Sequence, residues 1–328
     1  MGALLVPMLL RKGYEVIVLD RFFFGKDVLK DVSAHPKCTI IEDDVRWFNG
    51  SVLRGVYAIL DLAALANDLA GELNPERTLH INFKSRVRTA SLAKAEGVKR
   101  YILASSCSVY GFQDQLLDET ADVSPITTYA KACVLAEEGT LVLGDKDFTV
   151  TALRQGTLYG LSPRMRFDLV INTMALSIFK EGFLTVRGGN QWRPLVHVFD
   201  SAKAFIATLE ASSNKIAGQI FNVGSTDHNF RIQDLADKVI RACRVGHVVL
   251  DKSELDTRSY RVNCNKLRDI LSFSLTKNPE DGAEEIFQAL NEKKITDHER
   301  TKTVDWYKKL LVDDPLILDR EYIGETNR

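Results

Sequence analysis

The chain opens on an apolar stretch from Ala3 to Lys12, closed by Gly13. It then enters Glu15-Val16-Ile17-Val18-Leu19-Asp20, an apolar run that ends on an acid. The first piece reads as a short helix stopped by glycine and the second as a buried strand. Apolar runs of strand length recur at Thr39–Glu42, Tyr57–Leu60, Arg100–Ala104 and Phe148–Leu153, with helical stretches at Glu76–Glu96 and Thr127–Leu143. Strands alternating with helices predict an α/β fold on a doubly wound parallel sheet, whose strands are covered on both faces.

Beyond Gly160 the alternation gives way to an Arg-containing loop, a helix near Asp168–Lys180, a Gly188-Gly189 turn and a mixed pattern. Two later pieces, Leu195–Leu209 and Gln219–Gly224, have the form of a strand-helix pair and a short strand able to return to the main sheet. The expected division is therefore discontinuous. Residues 1–160 with 194–224 form the main domain, and residues 161–193 with 225–328 form a smaller α/β lobe.

The 328 residues, 45% of them hydrophobic, are enough for a sizeable core. A formal net charge of -1 supplies no global field for nucleic acid or an anionic membrane. Cys38, Cys107, Cys133, Cys243 and Cys264 are odd in number and widely spaced, and they form neither a CxxC pair nor a cluster with histidines. That usage fits a reducing, cytoplasmic setting with no structural metal. The apolar Met1–Leu10 is cut short by Arg11 and Lys12, well below the ~20 residues of a membrane span, and no signal-peptide cleavage pattern follows.

Gly2 opens the first helix and Asp20 ends the next strand eighteen positions later. In a dinucleotide-binding unit a glycine turn lets a pyrophosphate approach a helix N-terminus, and an acidic residue about 20 positions on takes the ribose hydroxyls. Gly2 is equally an ordinary helix start, and Asp20 a strand-end cap. More specific is Ser105-Ser106-Cys107-Ser108-Val109-Tyr110-Gly111, directly after an apolar strand, followed by Ser124-Pro125-Ile126-Thr127-Thr128-Tyr129 at the start of a helix.

Taken together and in this order, these strings resemble those of the NAD-dependent epimerase/dehydratase family, the extended short-chain dehydrogenases that act on nucleotide-sugars. The resemblance runs from Gly2 to about Ala289. It implies a Rossmann-type sheet and NAD as cofactor. By the same resemblance Gly2 is the third glycine of G-x-x-G-x-x-G, and the first two glycines and the strand before them are absent, as in a shortened reading of a longer protein. Asp20 with Arg21 would meet the adenosine ribose, Asp44-Val45 the adenine, and the small-residue turn Leu62-Ala63-Ala64 would lie beneath the dinucleotide. Asn82 would be the helix-kinking asparagine beside the site. The acid at Asp20 favours NAD over NADP, a preference tempered by Arg21.

The resemblance also assigns Ser106 as the catalytic hydroxyl and a substrate contact, and Tyr129 as the base and a cofactor contact, with Glu137 eight residues on. A tyrosine near its ordinary pKa of ~10 needs a neighbouring cation to act as a base near neutrality. The family supplies it as the lysine of Y-x-x-x-K, but the matching residue is Cys133. Lys131 cannot substitute, because on a regular helix +2 points about 200° from the tyrosine and +4 only about 40°. The expectation is weakened hydride transfer unless another cation reaches the site. Cys107-Ser108 stands where dehydratases carry an Asp-Glu pair, which counts against water elimination.

In the second half, Leu153-Arg154 through Tyr159-Gly160 resembles the strand entering the sugar pocket, with Arg154 as pocket residue or structural ion-pair partner. Asn172 matches a sugar or diphosphate contact, and Cys107 lies beside Ser106 as a further substrate contact. Arg193, in Trp192-Arg193-Pro194-Leu195-Val196-His197, matches a diphosphate-gripping arginine, with Trp192 and His197 read first as packing residues. Arg258, in Asp256-Thr257-Arg258, matches a second such arginine. The implied activity is epimerisation of a nucleotide-diphosphate sugar through a keto intermediate. The alternative is a non-catalytic relative that keeps the nucleotide-sugar site. A homodimer through Glu76–Glu96 and Thr127–Leu143 is implied as well.

Overall fold

The computed structural model describes residues 1–251 and 259–317. Its first half runs α1 (Gly2–Arg11), β1 (Val16–Asp20), β2 (Cys38–Glu42), β3 (Ala58–Asp61), α2 (Asp68–Gly71), α3 (Pro75–Leu79), α4 (Ser85–Ala95), β4 (Arg100–Ser106), β5 (Phe112–Leu117), α5 (Thr128–Leu141) and β6 (Thr149–Gln155). The second half runs β7 (Thr157–Tyr159), α6 (Val170–Glu181), β8 (Leu184–Arg187), β9 (Trp192–His197), α7 (Val198–Glu210), α8 (Ser213–Ile216), β10 (Ile220–Val223), β11 (Asn229–Arg231), α9 (Ile232–Cys243), β12 (Val248–Asp251), β13 (Ser259–Val262), α10 (Asn265–Leu271), α11 (Pro279–Asn291) and α12 (Thr303–Asp313).

The central sheet has the order β10-β6-β4-β3 and is parallel throughout. Every residue of β6 is buried, which explains why Thr149–Gln155 shows no polar alternation. One cluster joins Leu5 and Leu9 of α1 to Ile102, Leu153, Phe205 and Phe221. Full burial of such side chains stabilises by about 1.5–3 kcal/mol each. β1 pairs in parallel with β2, and among the described residues no ladder joins this pair to β3.

Two expectations are corrected. The strand at Trp192–His197 does not return to the main sheet; β9 pairs with β7 and, antiparallel, with β11. Only β10 returns, alongside β6. The helix expected over Glu76–Glu96 is also interrupted, by a π-helical turn at His80–Lys84. Inside that turn Asn82 accepts from the Leu65 amide at 2.8 Å and donates to the Leu65 carbonyl at 3.1 Å. Satisfying the loop after β3 in this way requires the wider turn, which re-aims every residue that follows it on α4.

Candidate active site

A cavity of about 700 Å³ opens at the carboxyl ends of β3, β4 and β6, the place where open parallel sheets bind ligands. Leu62 and Ala64 line it from the turn after β3, Ala104 and Ser106 from β4, and Tyr129 from α5. Thr127 caps α5 by accepting from the Ala130 amide at 3.1 Å and donates to Asp68 at 2.5 Å. That cap fixes Tyr129 in the first turn. A Cβ on Gly71 would stand 3.0 Å from that of Tyr129, so glycine lets α2 close over the tyrosine.

Tyr129 lines the cavity together with Ser106 and packs against the cluster that holds Cys133. Burial drives the phenol well above its ordinary value, and the neighbouring Cys133 adds to the rise; the Arg86 guanidinium and the Ser106 hydroxyl act in the opposite sense. Burial also pushes the Cys133 thiol up to about 11, so at neutral pH it is uncharged. Cys133 is 1% exposed and packs among Cys107, Val109 and Tyr110.

Arg86 was not singled out from the sequence. It sits on the buried face of α4 with Thr89, Ala90 and Ala93, where an arginine interrupts a stripe of small residues. That misplaced charge is the signal that could have found it. Its Nε and Nη2 donate to the Ala63 carbonyl at 3.2 and 3.0 Å, and its Nη1 to the Ala104 carbonyl at 2.8 Å. Ser108 was likewise passed over as a contact; its hydroxyl is buried at the cavity wall without a hydrogen-bond partner.

Several expected contacts are used elsewhere. Cys107 is fully buried and its thiol donates to the Arg154 carbonyl at 3.3 Å; Ser106 and Ser108 face the cavity, and Cys107 between them points to the opposite side. Asn172 accepts from the Gly160 amide at 2.9 Å and donates to the Arg166 carbonyl at 3.0 Å, so it shapes the loop between them. Both ends of the Asn82 amide are engaged by Leu65. Arg154 is the structural ion-pair partner of Glu137, at 2.7 Å. His197 accepts from the Phe199 amide at Nδ1, so its Nε2 carries the proton, 2.7 Å from Glu285. Arg231 and Arg261 both lie 5.2 Å from the Trp192 ring.

In the separate β1–β2 pair, Asp20 ends β1 exposed and accepts from the Phe22 amide at 2.6 Å. Asp44 is buried and gripped by Arg46 at 2.9 and 2.8 Å, with Arg21 at 3.8 Å and Val45 half-buried beside it. A Cβ on Gly2 would meet Leu62 at 3.8 Å, an ordinary contact, so packing there does not demand glycine. The Ala63 amide donates to Asp61 at 3.1 Å. Arg193 lines the cavity and donates to the Trp192 carbonyl at 2.8 Å. Arg258 lies outside the described residues.

UDP-glucuronic acid decarboxylase 1 of Arabidopsis thaliana is 30% identical over 249 residues, covering 73% of this chain and 55% of the relative, so the chain spans about half the length of that protein. UDP-glucuronic acid 4-epimerase from Bacillus cereus, solved with UDP-glucuronic acid and NAD, superposes with a TM-score of 0.78 at 20% identity over 89% of this chain and 96% of that one. The dTDP-glucose 4,6-dehydratase DesIV from Streptomyces venezuelae, solved with NAD, gives a TM-score of 0.74 at 21% identity over 96% of each chain. These structures share the Rossmann-type fold. Among the described residues no helix is long and apolar enough to cross a membrane. The model of the NAD-dependent epimerase/dehydratase family matches residues 1–224, and the chain belongs to that family.

Proposed function

We propose that the chain catalyses NAD-dependent epimerisation of a nucleotide-activated sugar through a keto intermediate. The observation that carries this reading is that Ser106 and Tyr129, from β4 and α5, both line the wall of one cavity. The residues present fit NAD at this inner end, where Ala64, Ala104 and Gly156 leave room beside the two hydroxyls. NAD, when bound, takes up a hydride and later returns it. Tyr129 then removes and restores the proton of the sugar hydroxyl, while Ser106 holds the oxygen that becomes the carbonyl. Ser108 offers a free hydroxyl to the sugar, and Arg193 offers cationic donors to the diphosphate.

Elimination of water is disfavoured in this reading, since Cys107 is turned away and Ser108 has no carboxylate. The 1–160 plus 194–224 segment would carry the dinucleotide and the remainder the sugar. Pairing of two copies through α4 and α5, which pack side by side, belongs to the same proposal, and a monomeric mass in light scattering would contradict it. A second reading, a nucleotide-sugar-binding relative without turnover, draws on the uncharged Cys133 beside Tyr129. Titrating tryptophan fluorescence with NAD and, separately, with UDP-, GDP- and dTDP-sugars separates the two. Binding of both ligands followed by sugar inversion supports the enzyme, whereas sugar-nucleotide binding without NAD binding supports the second reading.

A further inference from the structure

We infer that Arg86 is the cation that serves Tyr129, in place of an ammonium on α5. The inference rests on the proposed role of Tyr129 as base and concerns which cation favours its ionised form against the burial that opposes it.

The geometry carries the argument. Arg86 is 3% exposed, yet lines the cavity with Ala104, Ser106 and Tyr129. Its guanidinium is fixed by three hydrogen bonds to the carbonyls of Ala63 and Ala104, the latter only two residues before Ser106 on the same strand. The π-helical turn at His80–Lys84 ends immediately before α4 and so sets the direction of Arg86. A buried arginine costs several kcal/mol unless its charge has a use or a partner. Asp61, on β3, is 3.9 Å from Nε, farther than a close salt bridge, and it also accepts from the Tyr101 hydroxyl. Besides this pairing with Asp61, the guanidinium borders the cavity that Tyr129 lines.

The groups facing this charge come from four elements: Asp61 on β3, Tyr101 on β4, and Tyr129 and Cys133 on α5, with Asp68 on α2 acting on the last two. Arg86 favours the ionised form of both α5 residues. Cys133, being small and uncharged, allows a guanidinium arriving from α4 to act on Tyr129. A lysine in its place would put a second buried cation beside Arg86.

The bland alternative is that Arg86 merely ties the turn after β3 to β4. A titration without sugar or cofactor distinguishes the two. A tyrosine carrying several ring fluorines, which make its phenol more acidic by several pH units and bring its titration into the range of the folded chain, is placed at position 129. Its ¹⁹F shift is followed against pH in the otherwise native chain, in Arg86→Gln and in Arg86→Gln with Cys133→Lys. Glutamine keeps donors for the carbonyls but removes the charge. The expected result is a rise of about one pH unit or more in Arg86→Gln, reversed when lysine is added at 133. An unchanged titration in folded Arg86→Gln overturns the inference. Should that variant not fold, Arg86→Lys decides: a titration like that of the native chain supports the role of the charge, and a rise of more than one unit overturns it. The titration does not depend on turnover, so a failed assay with sugar nucleotides would overturn the proposed function, whereas an unchanged titration would overturn the coupling of Arg86 to Tyr129, and the two failures are told apart.

Discussion

Arg154 on β6 and Glu137 on α5 are joined by three hydrogen bonds, Nη2–Oε2 at 2.7 Å and Nε to Oε1 and Oε2 at 3.0 and 3.2 Å, with both side chains buried. Ser105 donates to the same carboxylate, and Arg154 donates to the Tyr110 hydroxyl at 2.9 Å. The pair locks the helix that carries Tyr129 to the two strands flanking the cavity, so a position read as a possible pocket arginine is part of the frame.

Glu137→Ala should lower unfolding free energy by about 3–5 kcal/mol, because it leaves the Arg154 charge buried without a partner. Urea denaturation measures this. A loss below about 1 kcal/mol would mean that water or another group takes over from the carboxylate.

The pH profile of turnover follows from the surroundings of Tyr129. Burial and Cys133 hold the phenol protonated well beyond its ordinary range, although Arg86 opposes them. Since the base form does the work, the rate should climb with pH through the alkaline range accessible to the folded protein, without a plateau near neutrality. A rate flat between pH 7 and 10 would remove Tyr129 as the titrating base.

Tyr129→Phe should reduce turnover by about 10²–10⁴-fold, the usual share of a general base, and leave NAD binding near that of the native chain. Ser106→Ala removes a hydrogen bond and not the base, so its loss should be smaller. Steady-state assays with parallel cofactor titrations check both, and equal activity in Tyr129→Phe would contradict the assignment.

Stability at acid pH should report on Glu285. Burial alone would raise its carboxyl, but hydrogen bonds from His197 and the Leu161 amide outweigh that and hold it below the ordinary 4.5. Folding therefore favours the ionised form. The resulting stabilisation is complete above the unfolded value and is lost as pH falls through the lower folded one. Glu285→Gln should be destabilised relative to the native chain at pH 7, and the gap should narrow towards pH 3. The same gap at both pH values would show that the carboxylate charge plays no part.

How much of this the sequence disclosed depended on the kind of signal each residue leaves. Ser106 and Tyr129 were legible because their strings sit at a strand end and a helix start, and local structure alone carries them to the cavity. Cys107 was misread because the backbone turns it away from the side that Ser106 and Ser108 share. Asn172 looks like a ligand contact in one dimension, but its partners Gly160 and Arg166 are backbone groups that only folding brings near, whereas Asn82, read as a helix-kinking residue, does lie in the π-helical turn. Asp44 follows its strand as an adenine contact would, yet Arg46, two residues on, turns back to claim its carboxylate. Arg86 was the largest omission, since a charge on a helix reads as solvated unless the π-helical turn that re-aims it is known.

The reading of this site as an epimerase is tested most directly with a nucleotide-sugar deuterated at its ring carbons, incubated with the chain and NAD and followed by NMR. Inversion at one carbon with the deuterium kept there is the predicted result, because a hydride lent to NAD and returned never meets solvent. Inversion with loss of that deuterium to water, or no inversion of any UDP-, GDP- or dTDP-sugar under conditions where NAD is bound, would contradict it.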